Sequence, residues 1–165
     1  MKKLLVLMLL IPILAPCSLR GEEAPLNLAG FTLGQDVSKF RDRLDMTTAL
    51  PVRYLESLKE VEIGKLPGYK SGLIAYSTCT SPQKVVRIKL KYADSGEDFF
   101  NKLFSQLKNR FGEPDKFRGD SFGIMTSWKW SFTDAQGHNL SLVISHNTMD
   151  VDEKMGNAIK LTDLT

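Results

Sequence analysis

The feature that most constrains this chain is a strict two-residue alternation near its C-terminal end. Thr126, Trp128, Trp130 and Phe132 alternate with Ser127, Lys129 and Ser131. After the turn Asp134-Ala135-Gln136-Gly137, Leu140, Leu142 and Ile144 alternate with Ser141 and Ser145. Successive side chains of a strand point to opposite faces, so both runs read as strands with one apolar and one wet face. Joined by a short turn, they predict a hairpin of an antiparallel sheet covered on one side only. Residues 85–92 repeat the pattern: Val86, Ile88, Leu90 and Tyr92 face one way, and Arg87, Lys89 and Lys91 the other. Such a sheet needs apolar cover from elsewhere in the chain.

Two segments are predicted to supply it. Asp36 is a good N-cap, and Val37, Phe40 and Leu44 follow at helical spacing, giving a short helix that ends near Asp45. The stronger helix has N-cap candidates Asp94 and Ser95, with Glu97 and Asp98 in its first turn. Phe99, Phe100, Leu103, Phe104, Leu107 and Phe111 form its apolar stripe. Gly112 and Pro114 end it. A strand over the second half of 54–63, another over 69–78 and a final one over 157–162 complete the set, with Pro51 marking a loop and 115–123 a polar loop. The expected fold is α+β. About six antiparallel strands, in the order α-βββ-α-βββ, carry two amphipathic helices on one face. The two halves share architecture but little sequence, beyond Gly34-Gln35-Asp36 against Gly96-Glu97-Asp98. With 165 residues the chain suits one domain, expected over 30–165, with 18–29 an irregular lead-in.

Residues 1–17 read as a secretory signal: Lys2 and Lys3, then an apolar run from Leu4 to Leu14 too short to span a bilayer. Leu14-Ala15-Pro16-Cys17 resembles a bacterial lipoprotein box in which Cys17 would be acylated, but Pro16 stands where a small residue is expected. A soluble exported (periplasmic) form is the expectation, with membrane attachment only through a lipidated Cys17. Removing 1–17 takes two lysines and no acid, so the formal charge falls from +3 to +1. The basicity is thus largely a targeting feature and gives no ground for nucleic-acid binding.

Phe31-x-Leu33-Gly34 opening the first helix and Phe111-Gly112-Glu113-Pro114 closing the second, in this element order, resemble small exported bacterial proteins of the β-lactamase-inhibitor-protein-like group. That group includes a small lipoprotein of the outer-membrane assembly machinery. The resemblance spans most of 30–164 and implies helices on one face of an antiparallel sheet and a role in binding other proteins. It transfers no binding residue.

The sequence has no G-x-S-x-G elbow, H-E-x-x-H, P-loop or G-x-G-x-x-G. Cys79 and His146, both at strand ends, are the one nucleophile–base pair to consider, against a plain semi-buried thiol. A Cys79–Cys17 disulfide is a third reading of that thiol. Asp150, Asp152 and Glu153 hint at a cation loop. They break the calcium pattern, because Lys154 and Met155 stand where an acid and a glycine belong. No cofactor is expected. Arg118-Gly119-Asp120 spells an adhesion tripeptide and is treated as chance. Arg87, Lys89 and Lys91 form a basic row that Lys129 and Lys160 extend across the exposed face. They are the candidate binding residues for an envelope protein or an anionic glycolipid, against a solvated lysine-blunted face. Trp128 and Trp130 point away from Lys129, which weakens stacking of nucleic-acid bases. The sequence therefore predicts an exported, non-enzymatic binding module acting through the polar sheet face or the loops 113–123 and 146–156. A thiol-dependent hydrolase using Cys79 and His146, or a small-ligand carrier with a pocket between helices and sheet, are the alternatives.

Overall fold

The computed structural model describes residues 24–149 and 156–165. The leader with Cys17, and the acidic loop with Asp150, Asp152 and Glu153, lie outside the described residues.

A minimal hairpin, β1 (Asn27–Leu28) with β2 (Phe31–Thr32), precedes a 3-10 helix, Val37–Arg43. Then come β3 (Leu44–Val52), β4 (Leu55–Ile63), β5 (Tyr69–Ser77) and β6 (Val85–Tyr92). Helix α1 (Glu97–Phe111) leads into β7 (Lys116–Gly119), β8 (Met125–Thr133), β9 (Asn139–Asn147) and β10 (Gly156–Asp163). Among the described residues, β3 to β10 form one eight-stranded antiparallel sheet in the order β3-β4-β5-β6-β10-β9-β8-β7. Each half is a helix followed by four strands. The halves meet where β6 pairs with β10, through Ile88 with Leu161, Lys89 with Lys160 and Leu90 with Ile159.

The expected α+β layout of two helices on six strands is therefore wrong. The molecule is mostly β, with eight strands in its main sheet and one α-helix among the described residues. Two edge strands account for the difference in strand number. β3 carries Asp45 and Pro51 and is interrupted by register shifts between Asp45 and Leu50 and again at Pro51/Val52. β7 is four residues long and exposed throughout. Edge strands are kept short, polar, bulged or proline-bearing so that they do not recruit foreign strands, and those same traits read as loop in a sequence. The first helix is seven residues of 3-10 geometry, capped by Asp36, which accepts a bond from the Ser38 amide at 2.9 Å. That length gives too little surface to roof a sheet alone. The 18–29 lead-in likewise contains β1.

The core lies on one face of the sheet. Over the first half, Phe31, Leu33, Val37 and Phe40 pack onto Val61, Ile74 and Val85. Phe31 is fully buried and meets Phe40 edge-on at 5.2 Å. Arg43 lies over the Phe31 ring and donates to the carbonyls of Ala29 and Gly30, which ties the small hairpin down. Over the second half α1 does the covering. Phe104 stacks on Trp128 at 4.9 Å, Phe100 on His146 at 5.4 Å, and Phe111 meets Phe132 edge-on at 5.1 Å. Phe100 is the buried residue of the helix and contributes about 1.5–3 kcal/mol, while Phe104 and Phe111 are half-buried and add less. Gly112 ends α1 with a positive φ, and its carbonyl accepts from Trp130 Nε1 at 2.9 Å. These rings lie between the helix and the sheet.

The start of α1 is fixed by a buried polar relay. Asn157 Nδ2 donates to the carbonyls of Asp94 and Gly96, both at 2.9 Å. Its amide oxygen therefore faces His146, whose Nδ1–H donates to it at 2.7 Å. Gly156 has φ +104, and a Cβ there would sit 2.9 Å from that of Ser95, so only glycine lets β10 pass beneath the helix start.

Candidate functional site

The opposite face of the sheet carries no helix among the described residues. Antiparallel register sets its side chains in transverse rows, one residue per strand. One row crosses all eight strands: Asp45, Glu62, Leu73, Lys89, Lys160, Val143, Lys129 and Lys116. It begins with two acids and ends with four lysines in five positions. A parallel row holds Ser71, Lys91, Ala158, Ser145, Ser127 and Arg118.

Between them runs a trough. A hollow of about 460 Å³ over β7, β8, β9 and β10 adjoins one of about 490 Å³ reaching β5 and β6. The two share Lys89, Met125, Ser145 and Ala158. Small residues on β8, β9 and β10, namely Ser127, Ser141, Ser145 and Ala158, set the floor low, and long cationic side chains form the walls. No aspartate or glutamate lines either hollow among the described residues. No aromatic ring lines them either, so base stacking has no platform there.

The positive charges crowd one another. Burial on the trough floor, then Arg87, Lys89, Arg118 and Lys129 around it, hold the Lys160 amine below the ordinary lysine range, although its side chain reaches solvent. Thr162, two residues along β10 on the same face, has a buried hydroxyl without a hydrogen-bond partner. At the β4 side the field reverses. Glu60 pairs with Arg87 at 3.2 Å, and Glu62 and Asp45 lie beyond.

The structure brings together most of the basic residues expected from the sequence. Lys89, Lys129 and Lys160 share the central row, and Lys91 flanks it. Arg87 sits one row aside, engaged by Glu60. Lys116 and Arg118 were missed, because β7 reads as a loop. Pairing of Lys116 with Lys129 and Arg118 with Ser127 puts both in the trough.

Cys79 and His146 are not brought together. Cys79 is exposed just beyond β5, past the Tyr76–Val85 pairing. His146 is buried beside Asn157, near the Tyr92 end of β6. Seven residues of β6 separate those levels, roughly 24 Å at the rise of a strand. The adhesion tripeptide is a turn device. Asp120 accepts from the amides of Phe122, Ile124 and Met125 at 2.9, 2.9 and 2.7 Å. Burial would raise its pKa, but these bonds together hold it below the ordinary value. Among the described residues no group of three or more His, Cys, Asp or Glu is placed to hold a metal ion. No helix there is long and apolar enough to cross a membrane.

No protein-family model, curated protein or solved structure matches this chain.

Proposed function

We propose that this protein is an exported, non-enzymatic binding module whose sheet trough receives an anionic partner in the cell envelope. One observation carries the reading. Lys89 faces Lys160, and Lys129 faces Lys116, as directly opposed cross-strand pairs. Like charges placed this way destabilise a sheet. Lysine as a guard against aggregation belongs on edges, whereas β6, β8 and β10 are interior strands. Lys116 alone lies on an edge strand, β7, so stability gives no reason for the Lys89–Lys160 pair or for Lys129, and recognition of negative charge does. Export rests on the pattern of residues 1–17 and kinship with the β-lactamase-inhibitor-protein-like group on Phe31-x-Leu33-Gly34 and Phe111-Gly112-Glu113-Pro114; both are part of the proposal.

A photo-crosslinking residue at Val143, in the trough, tests it in the expressing cell against one at Lys102, on the exposed side of α1. The expected result is a discrete adduct from Val143, abolished by Lys89→Glu with Lys129→Glu, and none from Lys102. Equal labelling from both positions overturns the reading. Mass spectrometry of the mature N-terminus tests export: a chain that retains residues 1–17 removes it.

A further inference from the structure

Resting on that reading, we infer that the trough's occupant is a short acidic polypeptide segment lying across the strands along the lysine row. Three features select it.

The first is length. Lys89 to Lys116 spans four interstrand steps, about 19 Å, or about six residues of extended chain. Beyond Lys89 the row continues through Leu73 to Glu62 and Asp45. A polyanion continuing past Lys89 would run onto those carboxylates, so the acidic border closes the trough at that end, while past Lys116 the sheet ends. A flat anionic membrane cannot follow the floor of a hollow. The second is the lining. With no aromatic platform among its lining residues, the trough offers nothing specific to a nucleobase. The third is the floor. Ser127, Ser141 and Ser145 present hydroxyls that donate and accept, which suits the carbonyls and amides of a peptide as well as its carboxylates. The thread lies perpendicular to the strands, so it does not extend the sheet as an added strand.

The test is fluorescence anisotropy of the full chain with labelled hexaglutamate. Dodecaglutamate, inorganic polyphosphate and phosphatidylglycerol vesicles serve as rival probes. Hexaglutamate is expected to bind, to weaken as salt rises, and to lose about tenfold in affinity in Lys89→Glu/Lys129→Glu. Lys89→Gln/Lys129→Gln guards against misfolding and is expected to lose less. On the wild type dodecaglutamate is expected to gain no more than the statistical factor of its extra registers, and it should gain further once Asp45→Asn/Glu62→Gln removes the acidic border. Tighter, trough-dependent binding of polyphosphate or vesicles overturns the polypeptide and leaves the anion-binding module standing. If no probe binds while the Val143 adduct still depends on Lys89 and Lys129, the acidic segment alone falls. If the adduct is absent too, both readings fall.

Discussion

The two halves of the sheet have the same plan and opposite characters. The first, β3 to β6, is roofed by a two-strand hairpin and a seven-residue 3-10 helix clamped by Arg43 over Phe31. The second, β7 to β10, lies under a fifteen-residue helix whose phenylalanines stack on Trp128 and His146 and meet Phe132 edge-on. On the open face the contrast is electrical: the first half runs from Asp45 and Glu62 at its edge to Lys89 on β6, while the second brings Lys160, Lys129 and Lys116 with no acid in the row. One backbone plan thus tolerates two kinds of cover and two signs of charge. The pattern of pairing fixes the plan, and side chains on the two faces vary independently because they point apart.

The largest test concerns whether two differently roofed halves form one cooperative unit. Trp130→Ala in the second half and Phe31→Ala in the first should each cost about 3–5 kcal/mol, since both rings are nearly or fully buried. Both tryptophans lie in β8, so their fluorescence follows the second half, while circular dichroism follows the whole sheet. In urea the two signals should coincide for both variants. A separate early transition in Phe31→Ala would divide the molecule at the β6–β10 seam.

Asn157→Ala should cost about 2–3 kcal/mol, because it strands a buried histidine N–H and two carbonyls at once. Thermal melts would show it. The same change should speed amide exchange in the first turn of α1 and leave the 3-10 helix untouched.

Acid should affect both halves through their turns. Hydrogen bonds from Thr47 lower Asp45; burial raises Asp120 and Asp134 but is outweighed, by amide bonds at Asp120 and by amide bonds together with the His138 side chain at Asp134. A carboxylate with a lowered folded pKa stabilises the fold above its ordinary value near 3.8 and loses that contribution as pH falls through the lowered value. Amide shifts of Phe122, Ile124 and Met125 should therefore stay native to about pH 4 and move only below it. Movement near pH 6 would contradict this.

The smallest effect is at Lys160. Its amine is held below the ordinary lysine range, so its charge opposes folding until pH rises through that folded pKa toward the ordinary 10.5. Lys160→Gln should stabilise at neutral pH by no more than about 0.5 kcal/mol, because solvent screens an exposed amine. Reductive methylation with NMR titration should find Lys160 titrating below the ordinary 10.5, and Lys89→Gln/Lys129→Gln should raise it.

Much of the second half was legible in sequence. The alternation around Trp128 and Trp130 and the stripe from Phe99 to Phe111 are strong because each period is repeated. The edge strands were not, because the bulges and Pro51 of β3 and the exposure of β7 erase the apolar–polar alternation. That loss carried into the site. Lys129 and Lys160 could be assigned to the wet face from their own strands. Lys116 and Arg118 could not, since a residue read as loop has no face. The opposition of Lys89 to Lys160 depends on which strands pair, and β6 and β10 are brought together by topology alone. The distance between Cys79 and His146 was hidden for the same reason: both sit at strand ends, but at opposite ends of the sheet.

The β6–β10 seam has one more consequence. Its antiparallel pairing has Lys89 and Lys160 at its midpoint, and each half contributes its last strand. This is the geometry of an isologous contact, in which two subunits meet about a two-fold axis. A symmetric dimer of identical subunits must repeat every charge on both sides of that axis. Joined in one chain, the halves are released from that obligation. An acidic border facing a basic trough across a shared sheet is a surface that a fused pair can present and a homodimer of either half cannot.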